Sequence, residues 1–369
     1  MIIKCMKQNL LNGVQTVFKA VPSKTTMSIL ECILITAKND EITLTANDME
    51  IGIETKIDGS VVEEGVVALE AKILYEIVRK LPENEIIIDT DDNFKTSITC
   101  EKSNFSIIGR SGDDFSYLPE IDKAEPIIIS YFTLKELIRQ TIFSISDNDN
   151  NIIMTGECFS VRGSECRLIS LDGHRISIRK VSLKNSYEDK KVIIPGKTLN
   201  ELNKILPSDM DKDVSIYFTD KHVLFEFEKT IVVSRLIEGE YFNVDQMLSS
   251  DYETKVNVNK KDLLDCIDRA TLLVKEGDKK PIIISINEDN MQLKINSAVG
   301  SMNEEINIRK EGKELMIGFN PKFMIDALRV IDDEVVSLYM VNPKAPCFIK
   351  NDEESYIYLI LPVNFTTVS

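Results

Sequence analysis

The sequence repeats itself with a period of about 125 residues, which limits the folds that it can adopt. Segments 69–82, 194–207 and 319–332 superpose at that offset, and apolar residues recur in them at helical spacings of three and four. Agreement at so many positions at one offset indicates a true internal repeat. Because the period is much longer than that of solenoid repeats, each unit should have a core of its own.

Two further patterns recur at about the same period. A second amphipathic helix is predicted near residues 10–17, 134–141 and 263–270. Short β-branched runs predict strands at residues 42–48, 167–172 and 291–296, and again at 105–108, 231–234 and 357–360. We therefore predict an α+β fold of three similar domains, each with two helices packed on antiparallel sheets. The predicted domains are residues 1–122, 123–249 and 250–369, with linkers near 119–126 and 248–252.

The composition is that of an ordinary globular protein, with 43% hydrophobic and 28% charged residues among 369. The seven cysteines form no C-x-x-C motif, so reduced thiols are expected. There is no apolar run of about 18 residues and no signal-peptide pattern, so we expect a soluble cytoplasmic protein without a membrane segment. Neither G-x-G-x-x-G nor a P-loop motif occurs, which argues against nucleotide sites of those kinds.

The formal net charge of −16 at first argues against a polyanion such as DNA as a partner. Its distribution changes that interpretation, because the six predicted helical segments carry +7 and the remainder of the chain carries −23. If the helices share one surface, that surface would attract phosphates while the rest of the molecule repels them. Lysines on solvated helix faces are the alternative explanation. Aromatic residues are absent from most of these helices, which favours backbone contact without base readout.

Four short motifs occur in order along the chain. They read LDGHRI at 171–176, SRLIEG at 234–239, IGFNPK at 317–322 and YLILPV at 358–363. With the three-domain repeat, they make the chain resemble the bacterial β sliding clamps, the processivity subunits of DNA polymerase III, over its full length. The resemblance implies a head-to-tail homodimeric ring of six domains whose helices line a hole around double-stranded DNA. It also implies a non-catalytic protein that needs no cofactor or metal.

The resemblance further implies which cations face the DNA. Lys24, Lys72 and Lys197 match DNA-facing positions of the family. Lys24 stands where the family usually has arginine, so the charge is kept but the bidentate guanidinium is lost. The helix pattern adds weaker candidates on the same predicted surface: Arg79, Lys80, Lys204, Lys322 and Arg329.

Between the second and third domains, the resemblance implies a groove for short peptide motifs. The DNA polymerase III catalytic subunit, the clamp loader and other proteins with clamp-binding motifs would compete for it through glutamine and apolar side chains. The matching positions are Met154, Leu171, Gly173, His174, Arg175, Ile176, Phe242, Met247, Leu359, Ile360, Leu361, Pro362 and Val363. Asn151, Gln246 and Asn364 stand at or near positions where the family often has arginine. Phe242, where the family often has proline, could narrow the groove.

The family joins its two protomers through the edges of the first and third domains. The matching positions are Ile73, Phe105, Ile107, Leu272 and Leu273, with Lys102 facing the acidic pair Glu304 and Glu305. The alternative is that these apolar residues belong to ordinary domain cores.

Two other functions fit parts of the sequence. A diverged clamp-like peptide-binding scaffold with no DNA function would explain the missing basic residues. A hydrolase could use Asp172 and His174, but no G-x-S-x-G or H-E-x-x-H motif occurs, and a turn role for His174 is favoured. The acidic runs at 89–93 and 147–151 lack the glycine and glutamate of an EF-hand, so they predict polar turns and not metal sites.

Overall fold

The computed structural model describes residues 1–115, 118–119, 121–148, 150–248, 251–274 and 280–365. Glu120, Ser249 and Ser250 of the predicted linkers lie outside the described residues, as do Asp149 of an acidic run and Lys275 of a helical segment. The described residues contain six α-helices, two in each predicted domain. They are α1 (Lys7–Val17), α2 (Ala71–Lys80), α3 (Tyr131–Arg139), α4 (Gly196–Ile205), α5 (Lys260–Thr271) and α6 (Pro321–Val330).

The strands of the described residues pair in antiparallel fashion, and each strand predicted from the sequence overlaps one of them. They are β1 (Ile2–Met6), β2 (Cys32–Lys38), β3 (Glu41–Asn47), β4 (Ile51–Ile57), β5 (Ser60–Glu63), β6 (Gly65–Glu70), β7 (Glu85–Thr90), β8 (Lys95–Cys100), β9 (Ser103–Ile108), β10 (Ile127–Ser130), β11 (Gly156–Leu171), β12 (Arg175–Pro195), β13 (Asp213–Phe218), β14 (His222–Phe227), β15 (Thr230–Arg235), β16 (Thr254–Asn259), β17 (Ile282–Ile286), β18 (Asn290–Asn296), β19 (Ser301–Gly312), β20 (Leu315–Phe319), β21 (Val335–Met340), β22 (Cys347–Lys350) and β23 (Tyr356–Ile360).

One compact unit comprises Met1–Phe132 and Lys197–Leu236. It contains a five-stranded sheet of order β5-β1-β7-β8-β9 and an eight-stranded sheet of order β10-β13-β14-β15-β4-β3-β2-β6. The larger sheet joins the first and second predicted domains, because β15 pairs with β4 with Thr230 opposite Thr55. The hydroxyls of these two threonines are buried and hydrogen-bond across the strand pair at 2.8 Å.

The other compact unit comprises Thr133–Gly196 and Ile237–Ser369. Its ten-stranded sheet has the order β11-β12-β23-β22-β21-β16-β19-β18-β17-β20. The second and third predicted domains meet in this sheet through β12 and β23, with Arg175 opposite Ile360. Antiparallel pairing across a domain boundary therefore occurs in both units.

Helix α6 shows why the repeated pattern folds as predicted. The side-chain oxygen of Asn320 caps its start by accepting from the N–H two residues later at 3.0 Å, and Pro321 occupies its first turn. Met324 and Leu328, one turn apart, are fully buried in the core, whereas Arg329 is exposed. The apolar face therefore packs on the sheet and the cations remain on the solvent face.

Strand β11 carries a carboxyl group into the core. Glu157 is fully buried, and neither of its carboxyl oxygens has a hydrogen-bond partner among the described residues. The nearby hydroxyl of Thr141 donates instead to the carbonyl of Leu137 at 2.7 Å. The hydroxyl of Tyr241 is buried too and has no hydrogen-bond partner among the described residues. Burial raises the pKa of Glu157 well above 4.5, so the core stabilises the neutral acid.

We predict that Glu157 makes the protein less stable as pH rises. Because its pKa is higher in the folded state, the folded protein binds more protons than the unfolded one above pH 4.5, and stability is lost as pH rises through that range. Glu157→Gln cannot ionise, so its melting temperature relative to wild type should increase between about pH 5 and pH 8. Thermal unfolding followed by circular dichroism measures this. Glu165→Gln, exposed on the same strand, is the control, and equal behaviour of the two variants would contradict the assignment.

Candidate DNA, peptide and subunit binding sites

The three domains share one turn, and this turn positions the candidate peptide groove. Asp48, Asp172 and Ser297 follow strands β3, β11 and β18 at equivalent positions of the repeat. The backbone N–H of each donates to the carbonyl three residues later, at 3.1, 3.3 and 2.9 Å. Each side-chain oxygen accepts from the N–H two residues later, at 2.9, 2.9 and 3.2 Å. Short polar side chains occur here because they satisfy N–H groups of their own turn.

The second of these turns lies beside the segment that follows β23. The carbonyl of His174 accepts a hydrogen bond from the N–H of Leu361 at 2.9 Å. The N–H of Val363 in turn donates to the carbonyl of Gly318 in β20 at 2.8 Å. Two backbone hydrogen bonds therefore hold residues 361–363 against the turn and against strand β20.

An apolar cluster forms the floor of this site. Leu171, Ile176 and Leu359 are buried in it, and the half-buried Met154 and Phe242 pack against it. The structure therefore brings these five predicted groove residues into one cluster, although they come from four separate stretches of the chain.

The remaining predicted groove residues differ in exposure. Gly173 is exposed and has a φ of +86°, a conformation that glycine adopts without strain. Four other side chains are wholly or partly accessible: Met247, Leu361, Pro362 and Val363. Ile360 must be corrected, because it is 1% exposed and its side chain packs in the separate core around α5 and α6. Neighbouring side chains of a strand point to opposite faces, so Ile360 cannot line the groove that Leu359 supports.

Arg175 is a buried support of the site, with 7% of its side chain exposed. Its guanidinium forms ion pairs with Asp172 at 3.0 Å and Asp326 at 2.7 Å, and it donates a hydrogen bond to the carbonyl of Phe143. The same group lies 4.4 Å from the ring centroid of Phe323. The side chain is therefore fully engaged within the protein and positions the turn that a peptide would meet.

His174 does not form the acid–base pair that a hydrolase would need. Its imidazole stacks on the ring of Phe323 at a centroid distance of 6.1 Å. The carboxylate of Asp172 accepts from two backbone N–H groups of the turn and from Arg175. Within the described part of the chain, no hydrogen bond joins that carboxylate to the imidazole.

The candidate DNA-binding cations fall into two groups. Lys24, Lys72 and Lys322 are exposed and form no ion pair with any described residue. The other candidates are ion-paired with nearby acids: Arg79 and Lys80 share Glu76, Lys204 pairs with Glu201, Arg329 with Asp268 and Lys197 with Asp48. The Lys197 pair also links α4 to the turn after β3, where the side chain of Asp48 is only 5% exposed.

The candidate subunit edge of the first domain is apolar and exposed. Strand β9 ends the five-stranded sheet, and Phe105 on it is 41% exposed, as is Ile73 of α2. Ile107 is half-buried and Lys102 is exposed. Ile108, which no sequence pattern indicated, is 85% exposed at the end of the same strand. An ordinary core position for Phe105 and Ile73 is therefore excluded.

The candidate edge of the third domain has a similar apolar character. Leu272 is 82% exposed, whereas Leu273 is half-buried against the core. Val299, also not indicated by the sequence pattern, is 61% exposed and lies two residues before β19. Glu304 pairs with Arg269, while Glu305 accepts from Gln292 at 3.4 Å.

No metal site is formed by the residues that the structure describes, since no group of three or more His, Cys, Asp and Glu side chains in them could hold an ion. The acidic run at 89–93 is a polar turn in which Asp91 accepts from the N–H groups of Asn93 and Lys95, both at 2.9 Å. None of the described helices is long and apolar enough to cross a membrane.

Three family models match the chain in order. They describe the DNA polymerase III beta subunit: its N-terminal domain matches residues 1–119, its central domain 129–243 and its C-terminal domain 245–364. The chain belongs to the DNA polymerase III beta subunit family. This clamp therefore has the three-domain α+β fold predicted from the repeat, while the predicted boundaries at 122/123 and 249/250 remain predictions.

Named relatives and solved structures agree with the family. The beta sliding clamp of Staphylococcus epidermidis is 36% identical over 364 residues, covering 96% of both chains, and that of Staphylococcus aureus is 35% identical over 356 residues, covering 94% of both. A structure described as a putative DNA polymerase III beta subunit from Eubacterium rectale has a TM-score of 0.97 and 66% identity, covering 99% of this chain and 100% of the other. The polymerase sliding clamp of Bacillus subtilis has a TM-score of 0.96 and 34% identity at the same coverage.

These comparisons show the function of a sliding clamp of DNA polymerase III in DNA replication. They do not favour the alternative of a peptide-binding scaffold without a DNA function.

We predict that Arg175→Met destabilises the clamp strongly. The variant leaves the carboxylates of Asp172 and Asp326 without their cation in a largely buried site, which should lower the unfolding free energy by about 3 kcal/mol. Urea unfolding followed by fluorescence or circular dichroism measures the change. Arg329→Met is the matched control: its ion pair with Asp268 has 59% of each side chain exposed, so its loss should cost less than about 1 kcal/mol. Equal losses would show that Arg175 is not a buried support.

Proposed function

We propose that two copies of this clamp join head to tail into a ring around duplex DNA. The observation that carries the proposal is a strand pairing that occurs twice within the chain. Strand β4 pairs with β15, and the first part of β12 pairs with β23. The equivalent strands of the third instance are residues 301–307 of β19 and strand β9. Among the described residues, β9 pairs only with β8 and residues 301–307 pair only with β18, so each leaves one edge open.

One hydrogen bond defines the register of the pairing. The N–H of Arg235 donates to the carbonyl of Glu50, and the N–H of Leu361 donates to that of His174, each at 2.9 Å. In both cases the accepting carbonyl belongs to the residue two positions after the first residue of the shared turn, which is Asp48 in the first domain. In the third domain, the equivalent acceptor is the carbonyl of the residue two positions after Ser297.

The donor of the third pairing is Ile108. The N–H of Gly109 and the N–H of Leu236 each donate, at 2.8 Å, to the carbonyl of the residue just before the neighbouring strand of the sheet. Because Ile108 and Arg235 each precede one of these donors, they are equivalent. In the ring, the N–H of Ile108 therefore donates to the carbonyl of Val299 in a second copy. The same register sets Lys102 directly opposite Glu305, an attractive pair across the strands.

Burial of the exposed apolar side chains would stabilise this subunit contact. Ile108, Val299 and Leu272 are the side chains that lose most solvent contact, and each contributes about 1.5–3 kcal/mol when fully buried. Each copy contributes two different edges, β9 as donor and residues 301–307 as acceptor, so the contact is head to tail and closes only if the repeated rotation returns to the start. Six repeats in two chains would satisfy that condition.

The charge distribution supports duplex DNA as the enclosed partner. The net charge of −16 is divided into +7 on helical segments and −23 elsewhere, so a lining of helices would attract the phosphate backbone whatever its sequence. The clamp would tether the DNA polymerase III catalytic subunit, after placement by the clamp loader, without catalysis of its own. A cytoplasmic location would agree with this DNA partner.

The apolar cluster beneath the second turn supports peptide binding there. Leu361 and Met247 would contact apolar side chains of a partner motif, and Phe242 would narrow the space beside them. Asn151 and Asn364 are exposed and uncharged, so acidic partner residues would be attracted less than by arginines at those positions. Polymerase, loader and other motif-bearing proteins would compete for this groove.

We predict that Ile108→Asp and Leu272→Asp each weaken the dimer at least about tenfold, because a charge replaces an apolar side chain that the contact would bury. Sedimentation equilibrium measures the dimer dissociation constant. Ile152→Asp is the control, since Ile152 is 61% exposed but lies outside both edges. A dimer of wild-type strength in both edge variants would refute the strand-edge contact.

We predict that the exposed, unpaired cations contact DNA phosphates more than the paired ones do. The triple variant Lys24→Ala, Lys72→Ala, Lys322→Ala should lower the slope of log affinity against log salt by up to about 0.9 per lost contact. The matched triple Arg79→Ala, Lys80→Ala, Lys204→Ala removes the same positive charge, but from side chains that are already ion-paired with acids. It should therefore lower the slope less. Fluorescence anisotropy with duplex DNA over a salt series measures both slopes. Identical slopes would indicate a long-range charge effect without direct contacts.

A further inference from the structure

The first domain junction contains a cavity that resembles the candidate peptide groove in construction. Its volume is about 310 Å³, and it lies beside the pairing of β4 with β15. The groove at the second junction lies beside the equivalent pairing of β12 with β23. Both begin at the shared aspartate turn, at Asp48 and at Asp172, and in both a backbone N–H donates at 2.9 Å to the carbonyl of the residue two positions after the aspartate. This equivalence depends on hydrogen bonds within the chain and on no bound ligand.

The floor of the first cavity is apolar. Met49 is 53% exposed, while Leu118 and Val233 contribute further apolar surface. Gly52 keeps the floor in place, because a Cβ at this position would lie 1.9 Å from the Cδ2 atom of Leu118. The cavity therefore offers room and apolar contacts for at least one aliphatic or aromatic side chain.

Polar groups at the rim distinguish this cavity from the second groove. Arg235 stands where the second groove has Leu361, is exposed, and forms no ion pair with any described residue. The imidazole of His222 lines the same cavity, and its ring nitrogens have no hydrogen-bond partner in the described part of the chain. Burial, with Arg235 and Lys221 nearby, lowers the pKa of His222, so the neutral imidazole is favoured near pH 7.

We propose that this cavity is a second peptide-binding site, which takes a chain terminus with apolar last residues and a free carboxylate. The apolar side chain would pack on Met49 and Val233, and the guanidinium of Arg235 would hold the carboxylate through two parallel hydrogen bonds. The neutral His222 can donate one further hydrogen bond to the same group. The exposed carboxylate of Glu50, which also lines the cavity, can accept from a peptide N–H.

Acetyl-Leu-Phe with a free carboxylate is the probe, and its C-terminal amide is the paired control. Selective ¹³C labelling of methionine methyl groups provides a reporter in each site: Met49 in the first cavity and Met247, 49% exposed, in the second groove. The carboxylate probe should shift the Met49 signal in a saturable way. The amide should bind at least about tenfold more weakly there, because one charge-assisted interaction is lost.

Variants locate the binding and separate it from the proposed ring function. Arg235→Ala should weaken the Met49 response at least about tenfold, whereas Lys221→Ala, which removes a neighbouring exposed cation, should not. Phe242→Ala alters the second groove and should leave the Met49 response unchanged. The proposal is overturned if Met49 does not respond, if the amide binds as tightly as the acid, or if Arg235→Ala binds like wild type. Dimerisation and DNA binding are measured separately, so their failure would not affect this result.

Discussion

Antiparallel pairing of strand edges across domain boundaries is the interaction on which the rest of this structure depends. An unpaired strand edge presents a row of backbone donors and acceptors that need partners when they are removed from water. The chain satisfies two such edges internally, through β4 with β15 and through β12 with β23. The third pair, β9 and residues 301–307, has no such internal pairing among the described residues. In the proposed ring, closure by a second copy would follow the same rule that joins the domains.

In the proposed ring, this constraint would let the protein hold DNA without binding it tightly. If closure of the chain around the duplex provides the attachment, no single phosphate contact must be strong. The structure agrees with that arrangement, because most candidate cations are already neutralised by neighbouring acids, as Arg79 is by Glu76 and Lys204 by Glu201. A modestly positive lining allows movement between positions, whereas a dense array of free arginines would give each position a high affinity.

The sequence predicted the fold well because its main signals are local and repeated. The three-and-four spacing of apolar residues predicted all six helices, and the repeat period grouped them into three domains. Contacts between distant residues could not be predicted in this way. Lys197 and Asp48 are 149 positions apart in the sequence, so their ion pair forms only through the tertiary fold. Ile360 could have been excluded from the groove, since it follows Leu359 on a strand and must face the opposite side.

The shared turn shows how one backbone design can acquire different binding chemistry. Asp48 and Asp172 satisfy the same N–H groups of their turns, yet the remaining carboxylate oxygen is paired with Lys197 in one domain and with Arg175 in the next. Lys197 is itself 52% exposed and, among the described residues, pairs with Asp48 alone, whereas the guanidinium of Arg175 is 7% exposed and also contacts Phe323 and a further carboxylate. Because the backbone hydrogen bonds form without them, the side chains at the rim can differ between the two sites. Residue 235 is therefore a cation and residue 361 is apolar, although both donate the same backbone hydrogen bond.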